Sequence, residues 1–305
     1  MSELLHPYDT LVTQKKLLGG EIIHPSVFLD ERVFKFPNIR TTTSILHLTD
    51  THFGKWGVHS CLPVKKQSAL VERITQIAEE PASGISAVCF TGDLSSGIGW
   101  LPWYKSPDKG MLQEIVAPLK RLTNIPKFAT YGNHDFYMDP DIPYDVLDDC
   151  GFTILSTESK QPFIAPLTED ISIWGMPDFM MQQEAHAEMC RNMAYMYQGI
   201  HPNHLPIVMA HNPDTFDYLP ADMHYLGLAG HTHGAAYTNK YLRDTAVRLL
   251  NSQNKDLMQG TFENGEPMKK LHISRGAGRH VGTPFSDVEM EVTKVTVCPA
   301  DQPAQ

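Results

Sequence analysis

Five times along this chain a strand-length apolar run ends directly on a short piece built from Asp, Asn, His and Gly. The runs Ser44–Thr49, Ala87–Thr91, Pro126–Thr130, Leu205–Ala210 and Tyr225–Ala229 lead into Asp50-x-His52, Gly92-Asp93, Gly132-Asn133-His134-Asp135, His211-Asn212 and Gly230-His231-Thr232-His233-Gly234. Short apolar runs closed by turn residues read as buried strands. Between the first three, Lys66–Glu80 (Leu70, Ile74, Ile77, Ala78) and Met111–Leu122 (Leu112, Ile115, Val116, Leu119) carry helical spacing, although Pro118 interrupts the second. Strand–helix repetition predicts a parallel sheet covered by helices. In open α/β sheets the loops past the carboxyl ends of the strands converge, and ligands bind there. The pattern therefore constrains the chain to an α/β fold with its polar pieces gathered on one rim.

Further strands are expected at Arg32–Phe36, Ile171–Gly175, Lys270–Ser274 and Val288–Val297, and a helix rich in Ala and Met at Gln182–Gln198. No repeat, low-complexity stretch or linker interrupts the 305 residues. The expected organisation is an extension over 1–40 packing on the core, one catalytic domain over 41–298 and a tail over 299–305. The five cysteines are scattered, without a C-x-x-C spacing, which reads as reduced thiols in a cytoplasmic protein. Met1–Gly20 has no long apolar core and is not read as a signal peptide. No apolar stretch approaches a transmembrane length. The net charge of −10 and the absence of a Lys/Arg-rich run argue against duplex nucleic acid as a partner.

Carboxylates, imidazoles and one amide, with no thiolate, suit a pair of divalent cations such as Mn, Fe, Zn or Co. Asp50 and His52 are close enough in sequence to approach one ion. Asp93 follows a glycine that permits close backbone approach, and a single carboxylate is able to bridge two ions. Asn133 offers a neutral oxygen, and His211, His231 and His233 offer imidazole nitrogens. Two cations about 3.5–4 Å apart are a device for phosphoryl chemistry. The expected reaction is in-line attack on phosphorus by a hydroxide bridging the metals. His134 is read as the catalytic acid, with Asp135 holding its ring, because an imidazole of pKa about 6.5 is able to protonate a leaving alkoxide at neutral pH.

Taken together, D-x-H, GD, GNHD, H and GHTH resemble the calcineurin-like metallophosphoesterase superfamily, over about Ile45 to Val297. The resemblance implies a two-sheet αββα sandwich with a dinuclear site at strand ends. By motif position it implies Asp50, His52, Asp93 and His233 around one metal, and Asp93 as bridge with Asn133, His211 and His231 around the other. It implies a phosphoester hydrolase acting on a small molecule, nucleotide or lipid precursor. The alternatives are a scaffold that kept the fold without catalysis, and a UDP-linked pyrophosphate hydrolase. Gly92-Asp93-Leu94 followed by GNHD departs from the protein Ser/Thr phosphatases, and Ser96 replaces the tyrosine ligand of purple acid phosphatases. The GHTHG piece, Ala210–Asp214 and Ser274–Gly278 look most like a bacterial group that includes hydrolases of UDP-diacylglucosamine-type precursors. Gly234-Ala235-Ala236 stands where that group often has Gly-Gly-Gln.

Three features stay open on sequence. Trp100 and Trp103 form either an apolar wall for a substrate or a loop packed on its own core. The methionines between Met176 and Met196 form either an adaptable face or a core-filling helix. Arg275 contacts a substrate phosphate or belongs to a solvated basic pair with Arg279.

Overall fold

The computed structural model describes residues 6–7, 15–17, 27–55, 62–95, 107–137, 139–155, 163–199, 203–235, 239, 241, 257–265, 268–278 and 288–300. The first half contains β1 (His6–Pro7), β2 (Lys15–Leu17), β3 (Val27–Phe36), β4 (Thr43–Leu48), α1 (Val64–Glu79), β5 (Ile85–Thr91), α2 (Lys109–Val116), β6 (Lys127–Thr130), α3 (Asp141–Asp148) and β7 (Phe152–Ile154). The second half contains β8 (Phe163–Pro166), β9 (Ile171–Gly175), α4 (Gln183–Tyr197), β10 (Leu205–Met209), β11 (Tyr225–Ala229), β12 (Gly260–Asn264), β13 (Lys269–Ile273) and β14 (Met290–Pro299).

These strands make two sheets, ordered β2-β3-β14-β4-β5-β6-β7 and β1-β12-β13-β11-β10-β9-β8. Strands β4 to β7 run parallel in the first, and β9, β10, β11 and β13 run parallel in the second. The sheets pack face to face through Phe34, Ile45, Ala87, Cys89 and Phe128 on one side and Ile171, Ile173, Ile207, Met209, Leu226 and Leu228 on the other. Alternation sends the intervening residues outward. Leu46, Leu48 and Val88 meet Leu70, Ile74 and Ile115 of α1 and α2, while Trp174 and Val208 meet Met189 and Met193 of α4. Strands covered on both faces lose polar alternation and become continuously apolar, which is why β4 and β10 are buried at every position. The layers are helix, sheet, sheet, helix: the expected αββα sandwich. No helix among the described residues is long and apolar enough to cross a membrane.

Several expected boundaries move for physical reasons. The helix over Met111–Leu122 is α2 followed by a 3-10 turn at Ala117–Arg121, because Pro118 has no N–H for the α ladder. Strand β3 begins at Val27, not Arg32. The charged run Asp30-Glu31-Arg32 hides it from an apolar pattern. Part of the expected 1–40 extension is thus built into the sheet, with β3 paired to β14 over its whole length. The helix α3 and the short strands β7, β8 and β12 carry too few residues for a period to show.

Candidate metal centre

Each polar piece begins one or two residues past its strand. Asp50 follows β4, Asp93 follows β5 and Asn133 follows β6 in one sheet, while His211 follows β10 and His231 follows β11 in the other. Parallel strands place these ends on a common rim. The loops are then cross-tied. Asp50 N–H donates to Gly92 O at 3.0 Å, His52 N–H to Asp93 O at 3.1 Å, and Gly230 N–H to His211 O at 3.0 Å. His231 N–H donates to Asp50 Oδ2 at 2.9 Å, which ties the two sheets together at the site. A Cβ at Gly132 would lie 2.2 Å from Asp93 Oδ1, and one at Gly230 would lie 2.1 Å from Asp50 Oδ2. Only glycine permits these approaches.

Among the described residues, the non-glycine positions with positive φ are Asp50 (50°), His52 (44°), Asp93 (58°), His231 (70°) and His233 (48°). All five belong to the seven ligands expected from sequence. A left-handed non-glycine residue costs of order 1–3 kcal/mol and persists only where its surroundings enforce it. The strain is therefore spent on aiming these side chains.

Two groups result. In the first, His52 Nε2 and His233 Nε2 are 3.0 Å apart, with Asp50 Oδ1 3.8 Å from the former and 3.4 Å from the latter. In the second, Asn133 Oδ1 lies 3.2 Å from His211 Nε2 and 3.0 Å from His231 Nδ1, and the two imidazole nitrogens are 3.3 Å apart. Asp93 Oδ2 faces both, at 3.6 Å from His52 Nε2 and 3.3 Å from His211 Nε2. Asp50, His52 and His233, and separately Asp50, Asp93 and His211, offer ligand atoms that all lie within 4.8 Å of one another.

These groups fit cations. Donor atoms bound at about 2.0–2.2 Å sit roughly 3–3.5 Å from one another around an ion, close to the 3.0–3.8 Å between the atoms of these groups. Asp50 Oδ1 is buried without a hydrogen-bond partner, a costly state unless positive charge meets it. His211 Nδ1–H donates to Thr91 O at 2.8 Å, which fixes the ring and leaves Nε2 as the ligand atom.

The electrostatics agree. Burial pushes Asp93 upward, but the imidazoles of His211, His134 and His52 outweigh it and hold the carboxyl well below its ordinary range. Burial pulls His211 down, yet Asp93 and Asp50 raise it to about 10. Such carboxylates hold positive charge wherever they find it.

His134 stands at the rim, half-buried. Its N–H donates to Asp93 Oδ1 at 2.8 Å, and its ring meets His52 and Tyr137 edge-on, with centroids 5.0 and 5.2 Å apart. Asp135, expected to hold the His134 ring, is met by three backbone amides. Its carboxylate accepts from Asp93 N and Gly132 N at 2.9 Å and from Leu94 N at 3.0 Å. It locks the Asp93 loop to the Asn133 loop, and burial followed by the charge of Asp93 raises it to about 7. Arg275 directs its guanidinium at Asp30, Glu289 and Glu291. Trp100 and Trp103 lie outside the described residues.

Sequence reading passed over Asp178. It is buried, with Oδ1 accepting from Met180 N at 3.0 Å and Met181 N at 2.8 Å and Oδ2 unpartnered. Burial lifts it to about 6 against the pull of His211. It follows β9 by three residues, so the strand-end rule that located the other pieces would have found it. Met176, Met189 and Met193 are core, whereas Met181 is 40% exposed on a cleft of about 690 Å³ that continues through Glu184 and Glu188.

A helix-flanked double sheet with oxygen- and imidazole-rich clusters on its rim defines a metal-site hydrolase architecture. Residues 43–250 match the model of the Calcineurin-like phosphoesterase family, and the chain belongs to that family of phosphoester hydrolases. UDP-2,3-diacylglucosamine pyrophosphatase LpxG of Chlamydia muridarum is 25% identical over 175 residues, covering 53% of this chain and 49% of that protein. The protein of the same name from Chlamydia trachomatis serovar D is 26% identical over the same shares. The chain thus spans about half the length of these curated relatives. A solved structure of purple acid phosphatase from yellow lupin (Lupinus luteus) seeds aligns at 10% identity and a TM-score of 0.43, over 91% of this chain and 59% of that one.

Proposed function

We propose that this chain hydrolyses a phosphoester bond of a small molecule, nucleotide or lipid precursor with two divalent cations held at the rim. Asp50, His52, Asp93 and His233 would hold one, and Asp93, Asn133, His211 and His231 the other. The observation that carries this reading is the single oxygen Asp93 Oδ2, which faces His52 Nε2 at 3.6 Å and His211 Nε2 at 3.3 Å. When bound, a cation pair offsets phosphoryl charge and makes water acidic enough to attack phosphorus at neutral pH. The protein's own part is placement. Asp135 fixes the two loops that carry Asp93 and Asn133, and Thr91 O sets the His211 tautomer. His134, at the open side of the ligand groups, meets the phosphoryl oxygens or protonates the leaving group.

A UDP-linked pyrophosphate substrate is the second reading, favoured by the activity in the names of the two chlamydial relatives. The cleft lined by Met180 to Glu188, which begins two residues past Asp178, is the candidate space for the group that carries the phosphorus. Cytoplasmic residence is supported by Cys89, Cys150, Cys190 and Cys298, which are free thiols.

The test is metal analysis paired with hydrolysis of bis-p-nitrophenyl phosphate, followed by a screen across cyclic nucleotides, nucleoside-diphosphate lipids and phosphomonoesters. Asp93→Ala is expected to lose both bound metal and turnover. Two metals in the wild type without hydrolysis of any substrate would favour the scaffold alternative.

A further inference from the structure

The turn 274–278 supplies none of the seven ligands, yet it forms the floor beneath one group. Ala277 N–H donates to Thr49 O at 3.0 Å and Gly278 N–H to Asp50 O at 2.9 Å. A Cβ on Gly276 would fall 2.6 Å from Asp50 Cβ, and one on Gly278 would fall 1.9 Å from Thr51 O. The turn and the Asp50–His52 segment are in direct backbone contact. The stem of Arg275 also reaches the other member of that group, since a Cβ on Gly234, next to His233, would sit 3.1 Å from Arg275 Cγ.

Arg275 is itself anchored at many points. Its Nε donates to Glu291 Oε2 at 2.7 Å, its Nη2 to Asp30 Oδ2 at 3.1 Å, and its Nη1 to Glu289 Oε2 at 3.4 Å. Its backbone N–H donates to Glu291 Oε1 at 3.0 Å, and Glu291 N–H returns to Gly276 O at 2.8 Å. Asp30 takes a second guanidinium from Arg32 at 3.1 Å. The side chain of Arg275 is 15% exposed, and those of Asp30 and Glu291 are 3% exposed. A planar fork with five donors bridges several carboxylates at fixed angles, which a lysine ammonium cannot do. By contrast, Asn133 and His211 are held through Asp135 and Thr91, away from this clamp.

We propose that Arg275 is a positioning residue for the Asp50–His52–His233 group: it clamps the 274–278 turn to β3 and β14, and so sets the backbone from which that group is aimed, rather than binding substrate phosphate. This rests on the two-cation reading above, and the test separates the two.

Mn²⁺ is the probe, titrated calorimetrically into wild type, Arg275→Met and Arg275→Lys. Stoichiometry is measured by elemental analysis and spin coupling by electron paramagnetic resonance. The wild type is expected to bind two ions with a coupled signal. Arg275→Met is expected to keep one tight site, to weaken the other by about 10–100-fold, and to show an isolated-ion signal. Arg275→Lys is expected to weaken the same site less. If Arg275→Met does not fold, Asp30→Asn loosens the same clamp from β3 and is expected to act in the same direction. Equal loss at both sites, or no loss at either, overturns the proposal. So does a raised KM with both ions in place, which would return Arg275 to the substrate. A wild type that takes up no Mn²⁺ overturns the cation reading and this inference with it, an outcome distinct from failure in the variants alone.

Discussion

At the scale of single residues, neighbours in sequence divide the work. Asn133 Oδ1 turns to two imidazoles, Asp135 turns inward to three amides, and His134 between them stays at the rim. Sequence reading paired His134 with Asp135, as adjacency suggests. Within the 3-10 turn at Asn133–Tyr137 buried amide donors meet the Asp135 carboxylate, while the half-buried His134 ring meets His52 and Tyr137. His134→Ala is therefore expected to retain both metals and to lower kcat by roughly 10²–10⁴-fold, the range for loss of an acid–base group. Steady-state kinetics beside metal analysis checks this; kcat equal to wild type would remove His134 from the chemistry. The seven expected ligands stood out in the sequence because each is a chemically distinctive residue at the end of a short apolar run. Asp178 was passed over although it too follows a strand end, because it lies in an unremarkable Pro-Asp-Phe sequence, and the Thr91 carbonyl is backbone.

At the scale of elements, the long helix α1 is legible, whereas α3, β7, β8 and β12 are not. Its Leu70, Val71, Ile74, Ile77 and Ala78 are buried on one face against Leu46, Leu48 and Leu112. Leu70 is fully buried, so Leu70→Ala is expected to cost about 2–5 kcal/mol. Chemical denaturation checks this, with metal stoichiometry expected unchanged because Leu70 packs in the apolar cluster of the helical layer and is none of the seven expected ligands. A drop in metal content at equal folded fraction would instead couple that layer to the site. The strand β3 was half-read for an energetic reason. Asp30 and Arg32 interrupt its apolar pattern, and the burial of Asp30 beside Arg32 is tolerable because Arg275, itself held by Glu289 and Glu291, meets it there. Those partners lie far along the chain, outside the reach of any local period.

At the scale of the whole molecule, the two sheets share polar residues as well as a hydrocarbon core. His47 of β4 and His272 of β13 meet across the interface with ring centroids 5.6 Å apart. His47 Nε2 pairs with Thr91 Oγ1 at 2.8 Å and His272 Nε2 with Thr293 Oγ1 at 3.0 Å. Burial, then the repulsion of Arg32 and Arg275, pushes His272 from 6.5 down to about 3. Burial, then His272, holds His47 well below its ordinary value. Both rings fold neutral, whereas the unfolded chain protonates them below about 6.5. Their contribution is fully present above that pH. It declines as the pH falls toward the folded value, because the unfolded state then binds more protons. The slope is up to about 1.4 kcal/mol per pH unit for each ring. Urea unfolding between pH values of about 6.5 and 4.5 is expected to show His272→Gln losing roughly 2–3 kcal/mol less than wild type. Parallel pH dependences would remove His272 from the balance.

The sequence alone, through its periods, its motifs and the family they resemble, pointed to the layers and to the list of candidate ligands. Strand and helix periods are local, and a metal-binding residue keeps its chemistry wherever the fold carries it. The family resemblance implied how that list divides and that Asp93 bridges; only the tertiary structure supplied the distances within each group, the backbone partners of Asp135 and the carboxylate partners of Arg275. Those are distances between segments far apart in sequence, several of them on different sheets. Asp30 and Arg275, 245 residues apart, share a hydrogen bond at 3.1 Å. A pairing of that range is set by the meeting of two folded layers, for which a linear pattern carries no period.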